Sequence, residues 1–149
     1  MNQPDAKTVL TSMEPTKSSP VAKRILLIDD EEAVRTTVTE ILKRAGYEVQ
    51  SAADGKSGLE LFEHQSFDLL ITDLLMPVRD GLETIMTLRR GRTPLKIMVI
   101  SGCAQTLGSE YMKIARHLGA DSSLPKPFTR DELLAAVAKL LDVPSAPAP

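Results

Sequence analysis

Between residues 22 and 142, strand and helix signals alternate five times, and few folds accommodate that order. Ile25-Leu26-Leu27-Ile28 is an unbroken apolar run, the pattern of a strand buried on both faces. Val34, Val38, Ile41, Leu42 and Ala45 then recur at helical spacing, and Gly46 closes that helix. Tyr47 to Ala52 is the second predicted strand, after which Asp54 caps a short helix carrying Leu59 and Phe62. Asp68 to Thr72 surrounds a third apolar run, and Asp80 caps a helix with Leu82, Ile85, Met86 and Leu88 on its buried side. Ile97 to Ile100 is the fourth strand. Tyr111, Ile114, Ala115 and Leu118 stripe a helix that stops at Gly119, and Ala120 to Leu124 makes a short fifth strand. Thr129 and Glu132 form a capping box for the last helix, with Leu133, Leu134, Val137, Leu140 and Leu141. Strands spaced by helices of roughly 10 to 15 residues imply right-handed crossovers and a parallel α/β sheet with helices on both faces.

The remaining sequence bounds what such a sheet could do. The chain has 149 residues, enough for one core, and its 18 basic and 20 acidic residues leave a net charge of -2. That balance gives no basic footing for nucleic acid. Cys103 is the single cysteine, so no internal disulfide or thiolate metal cage can form. No apolar run approaches the roughly 20 residues of a membrane span, and the polar N-terminus is no secretory signal, so a cytoplasmic location is expected. Residues 1–21, rich in Pro, Ser and Thr, read as a disordered arm, residues 22–142 as the domain, and residues 143–149 as a Pro/Ala tail.

In parallel doubly wound sheets the site lies beyond the carboxyl ends of the strands. The first strand here ends in Asp29-Asp30, with Glu31 and Glu32 after it. The third ends in Asp73, the fourth in Ser101-Gly102, and Lys126-Pro127 follows the fifth. Each has a plainer reading alone: Asp29 and Asp30 as helix caps, Asp73 as a turn residue, Ser101 as a cap, Lys126 as a surface charge. Their joint placement at consecutive strand ends is what chance rarely supplies. Carboxylates this close repel unless a cation joins them, and an oxygen-only set without His or Cys suits Mg²⁺. Glycine-rich nucleotide loops are absent after the first strand. His64 and His117 fall inside helical segments, which leaves no imidazole base at the strand ends, and Cys103 has no His partner.

The set Asp29-Asp30-Glu31, Asp73-Leu74-Leu75-Met76-Pro77 with Asp80-Gly81, Ser101-Gly102 and Lys126-Pro127-Phe128 resembles the receiver domains of two-component response regulators. The match runs over about residues 22 to 142. The resemblance implies a five-stranded flavodoxin-like sheet of order 2-1-3-4-5. It also implies that Asp73 accepts a phosphoryl group from a phosphohistidine on a sensor histidine kinase or a histidine phosphotransfer protein. Asp30, Asp73 and the carbonyl of Leu75 would bind Mg²⁺ directly, with Asp29 acting through a bound water. Lys126 and Ser101 would each engage a phosphoryl oxygen, Gly102 would leave room for it, and the Lys126-Pro127 bond would be cis. Phosphorylation would remodel the face of the fourth helix, fifth strand and fifth helix, switching a downstream protein contact, with the chain a monomer or a phosphorylation-dependent dimer.

Two departures from the family pattern stand out. Ser123 occupies the place, three residues before the lysine, where an aromatic ring usually couples hydroxyl closure to output. The stretch from Ser101 to Lys126 is also about three residues longer than usual, with the excess placed between Cys103 and Ser109. Leu75 and Cys103 stand where phosphoryl lifetime is tuned, and neither can orient an attacking water. Slow self-dephosphorylation is therefore expected. A phosphoryl half-life of only seconds, followed by loss of radiolabel without a phosphatase, would contradict it. Only the short tail follows Asp142, so a free-standing regulator acting through protein contacts is expected. Two other functions compete with it. One is a receiver-like interaction module that needs no phosphorylation. The other is a Mg²⁺-dependent aspartyl phosphatase, which would need a second acid where Leu75 stands. No turnover substrate is expected on the first reading.

Overall fold

The computed structural model describes residues 22–74, 81–91, 94–102 and 108–142, side chains at 108, 109, 111 and 112 excepted. Leu75, Asp80, Cys103, the side chain of Tyr111 and both terminal segments therefore lie outside the described residues. The elements alternate in chain order: β1 Arg24–Ile28, α1 Glu32–Arg44, β2 Glu48–Ala52, α2 Gly55–His64, β3 Leu69–Asp73, α3 Gly81–Arg90, β4 Lys96–Ser101, α4 Gly108–Leu118, β5 Ser122–Pro125 and α5 Arg130–Asp142. All strand pairs are parallel, and the sheet order is β2-β1-β3-β4-β5. That is the order the resemblance implied.

The apolar runs explain why the sheet is covered twice. Residues of β1 alternate between faces: Leu26 and Ile28 pack with Leu70, Ile97 and Val99 under α2, α3 and α4. Ile25 and Leu27 pack with Ile71, Met98 and Ile100 under α1 and α5. Ile25, Leu27, Ile71, Ile97 and Ile100 are fully buried. Burying one such side chain contributes about 1.5–3 kcal/mol, so the central strands anchor everything built on their ends.

Local signals set several helix ends. Asp54 accepts the Ser57 N–H at 2.8 Å, and Thr129 and Glu132 bond each other's main-chain N–H groups as a capping box. Gly46 ends the first helix at a φ of 103°. Gly119, at a φ of 126°, is required twice over: a Cβ there would also meet Arg89 Cγ at 2.7 Å. The Arg89 guanidinium donates to the carbonyls of Gly119 and Leu95 and to Asp121, tying the end of α3 to the entries of β4 and β5.

Two helix faces differ from the sequence reading. Met86, placed on the buried side of its helix, is 40% exposed, and Ile114, placed in the apolar stripe of α4, is 45% exposed. In α3 the inward turns are filled by Gly81, Thr84, Ile85 and Leu88, which rolls Met86 outward. In α4 Ala115 is the residue that reaches the core. The fifth strand is also later than predicted, Ser122–Pro125 rather than Ala120 to Leu124.

Candidate functional site

Strand register assembles the site. Ile28 pairs with Thr72, so the next residues, Asp29 and Asp73, emerge side by side where β1 and β3 end. Asp73 pairs with Ile100, and Ser101 with Pro125, which places Ser101 and Lys126 at the same edge. The crevice between β1 and β3 is also where the strand order reverses, β2 lying on one side of β1 and β3 on the other. Carboxylate oxygens of Asp29, Asp30 and Asp73 all lie within 4.8 Å of one another. Asp29 is fully buried, Asp73 is 7% exposed, and Asp30 faces solvent.

Lys126 reaches into this cluster from the β5–α5 turn, with a cis bond to Pro127. Its Nζ lies 3.0 Å from Asp29 Oδ2, 3.1 Å from Asp73 Oδ2 and 3.1 Å from Glu31 Oε1. The contacts to Asp73 and Glu31 are hydrogen bonds, whereas Asp29 Oδ2 meets the ammonium as an ion pair and has no hydrogen-bond partner. The other oxygen, Asp29 Oδ1, accepts the Glu31 N–H at 2.9 Å, and Arg35 donates to the Asp29 carbonyl at 2.8 Å. Thr72 Oγ1 donates to the Asp73 carbonyl at 2.9 Å. Ser101 is fully buried at the end of β4, and its carbonyl accepts the Lys126 N–H at 2.9 Å. A Cβ at Gly102 would meet only Lys126 Cδ, at 3.9 Å.

Burial pushes the Asp73 carboxyl above its ordinary range, and the Asp29 charge adds to that, while Lys126 pulls it back part of the way. For Lys126 burial works downward, but the close ionic contact with Asp29 and the charges of Asp73 and Asp29 outweigh it. The ammonium is held well above the usual lysine range. The Lys126 ammonium therefore faces Asp29, Asp73 and Glu31, with Asp30 beside them. A buried carboxylate oxygen without a hydrogen bond, beside two more carboxylates, fits a hard oxygen-seeking cation such as Mg²⁺. The site thus contains Asp29, Asp30, Asp73, Ser101 and Lys126 as the sequence reading placed them, while Leu75 falls outside the described residues. His64 and His117 are exposed, away from it.

Three contributors had no assigned role in the sequence reading: the Glu31 carboxylate on Lys126, Arg35 on the Asp29 backbone, and the Thr72 hydroxyl. Glu31 was visible as part of an acidic run. Its partner lies 95 residues further on, a separation that no periodicity encodes.

A doubly wound sheet of this order, with a lysine-bridged acidic cluster on its carboxyl edge, defines a CheY-like α/β domain. The sequence profile of the response regulator receiver domain matches residues 25–138. The response regulator MprA of Mycolicibacterium vanbaalenii is 40% identical over 118 residues, covering 79% of this chain and 50% of MprA. The transcriptional regulatory protein CpxR of Escherichia coli is 36% identical over 119 residues, 79% of this chain and 49% of CpxR. Among solved structures, a CheY-like receiver domain protein from Methanospirillum hungatei superposes with a TM-score of 0.76 at 31% identity, covering 82% of this chain and 95% of its own. TrrA from Thermotoga maritima, solved in complex with Mg²⁺-BeF, gives a TM-score of 0.69 at 34% identity, covering 80% and 99%. The chain belongs to the response regulator receiver domain family of two-component systems. It spans about half the length of the curated relatives it matches. Among the described residues no helix is long and apolar enough to cross a membrane.

Proposed function

We propose that the chain is a phosphorylation-controlled switch in which Asp73 takes a phosphoryl group from a phosphohistidine of a sensor kinase or phosphotransfer protein. The observation that carries this reading is the Asp73 carboxylate, nearly buried at a strand end, 3.1 Å from the Lys126 ammonium and within the acidic cluster. An Asp73 oxygen forms the new P–O bond as the P–N bond to the imidazole breaks, and the ring nitrogen keeps the bonding pair. Such transfers pass through a loose transition state, so positioning and charge neutralisation supply most of the catalysis. Lys126 pairs with one phosphoryl oxygen, and the Ser101 hydroxyl closes on another. Asp30 and Asp73 would hold Mg²⁺, together with the Leu75 carbonyl that the family resemblance implies, and Asp29 would act through a water. When bound, the ion neutralises charge on the phosphoryl oxygens. TrrA, solved in complex with Mg²⁺-BeF, supports a Mg²⁺-dependent reading of the site.

The phosphoryl group adds about -1.5 to -2 charges to the crevice. The output is a changed protein-binding face on α4, β5 and α5, in the cytoplasm, with no turnover substrate. Ser123 sits half-buried on β5, paired with Val99, and carries no ring to swing. Closure at Ser101 therefore reaches that face by another route than an aromatic rotamer. The test is intact-mass measurement after incubation with Mg²⁺ and phosphoramidate, for wild type and Asp73→Asn. Stable addition of one phosphoryl in wild type alone is the expected result. No addition in either favours a phosphorylation-independent interaction module, and rapid donor turnover favours a phosphatase.

A further inference from the structure

The Lys126 ammonium has three N–H donors, and three carboxylates surround it at 3.0, 3.1 and 3.1 Å. Asp73 and Glu31 accept its hydrogen bonds and Asp29 pairs with it by charge, so a phosphoryl oxygen on Asp73 gains its fullest share of that ammonium when one of the three yields. Asp29 cannot readily do so: its side chain is fully buried, Oδ1 is fixed by the Glu31 N–H, and Arg35 grips its carbonyl. Asp73 is the residue to be modified. Glu31 differs from both. Its side chain is 60% exposed, it stands at the N-terminal edge of α1, and its carboxylate can turn into water at little cost. It lies outside the Asp29, Asp30 and Asp73 cluster, so holding a cation there does not require it.

We propose that Glu31 is a positioning residue that holds Lys126 in the resting site and yields it on phosphorylation, thereby setting how readily Asp73 is modified. The proposal rests on the reading of Asp73 as phosphoacceptor. In the resting state the carboxylate competes with the incoming group for the same ammonium. Removing that charge while keeping the shape therefore accelerates phosphorylation. Exposed ion pairs of this kind correspond to a change of roughly three- to fivefold in rate.

The test compares wild type, Glu31→Gln, Lys126→Met and the double variant, using phosphoramidate and Mg²⁺ with intact-mass detection. In the reaction the P–N bond breaks, the P–O bond to Asp73 forms, and ammonia leaves with the bonding pair. E31Q is expected to be phosphorylated roughly three- to fivefold faster than wild type at low salt, with the gain shrinking as ionic strength rises. Glu31→Asp, which keeps the charge, should return to near the wild-type rate. In the K126M background the Glu31→Gln change should have no effect, because the competitor then has nothing to hold. An E31Q rate equal to wild type, or the same acceleration with and without Lys126, overturns the proposal. A wild-type chain that takes up no phosphoryl group overturns instead the phosphoacceptor reading beneath it. Equal unfolding midpoints for wild type and E31Q would show that the rate change does not come from the fold.

Discussion

Replacing Lys126 by methionine should cost the fold on the order of 3 kcal/mol in magnesium-free buffer, the penalty for leaving buried charge unpaired. The side chains around it explain the size. Asp29 is fully enclosed and Asp73 nearly so, and the Lys126 ammonium at 3.0 and 3.1 Å is their shared counter-charge. Methionine keeps the stem that runs along the crevice and removes only the cation. Asp73 can soften the loss by taking up a proton, since its carboxyl already sits above the ordinary range through burial and the nearby Asp29 charge. Urea unfolding with and without Mg²⁺ measures the effect, and added Mg²⁺ should restore part of the loss in the variant. On the functional side the same change should slow phosphorylation about 100-fold or more, the usual effect of removing one donor to a developing oxyanion. A variant as stable as wild type without the cation would mean that Lys126 is solvated rather than paired.

The second large effect concerns a residue with no chemistry of its own. Gly81→Ala should unfold the protein at markedly lower denaturant, by about 3 kcal/mol, and slow phosphorylation of the folded fraction about 100-fold. An added Cβ would meet the Asp73 carbonyl oxygen at 2.2 Å and Leu74 Cα at 2.8 Å. Both are main-chain atoms, one in the acceptor itself and one in the residue after it, and neither can step aside as a flexible side chain would. The Gly81 N–H also bonds the Leu74 carbonyl at 2.8 Å, so α3 begins directly against the end of β3. Relieving the contact moves either the helix or Asp73 by a distance that positioning catalysis does not tolerate. Gly102→Ala is the matched comparison. Its Cβ would make only an ordinary contact with Lys126 Cδ at 3.9 Å, so its unfolding midpoint should stay near wild type.

The same contrast marks how far sequence alone could go. The strands were legible because Ile25 to Ile28 and Leu69 to Ile71 are apolar without interruption, and only a doubly covered sheet buries both of their faces. The edge where chemistry would gather followed from topology, and the carboxylates, Ser101 and Lys126 could be read as its occupants one strand end at a time. Caps such as Asp54 and the Thr129–Glu132 box were legible because their partners lie three residues away. Helix roll was not. Met86 and Ile114 have the residue type and spacing of core positions, yet their helices turn them to solvent because Ile85 and Ala115 fill the available room. Contacts between distant residues were also beyond reach: the Arg89 guanidinium on the Gly119 carbonyl, 30 residues away, and Glu31 on Lys126 leave no periodic trace. The close approach behind Gly81 belongs with them, since sequence shows a glycine and not the carbonyl pressed against it.

All of these expectations turn on where the phosphoryl group goes. The most direct measurement is to phosphorylate the chain with phosphoramidate and Mg²⁺, reduce the product with borohydride, and sequence its peptides by mass spectrometry. Borohydride converts an aspartyl phosphate to homoserine and thereby marks the modified carboxylate. Homoserine at position 73, absent when Mg²⁺ is withheld, is the predicted result. Homoserine at position 29 or 30, or an unmodified Asp73 after prolonged incubation, would contradict the assignment of Asp73 as the acceptor.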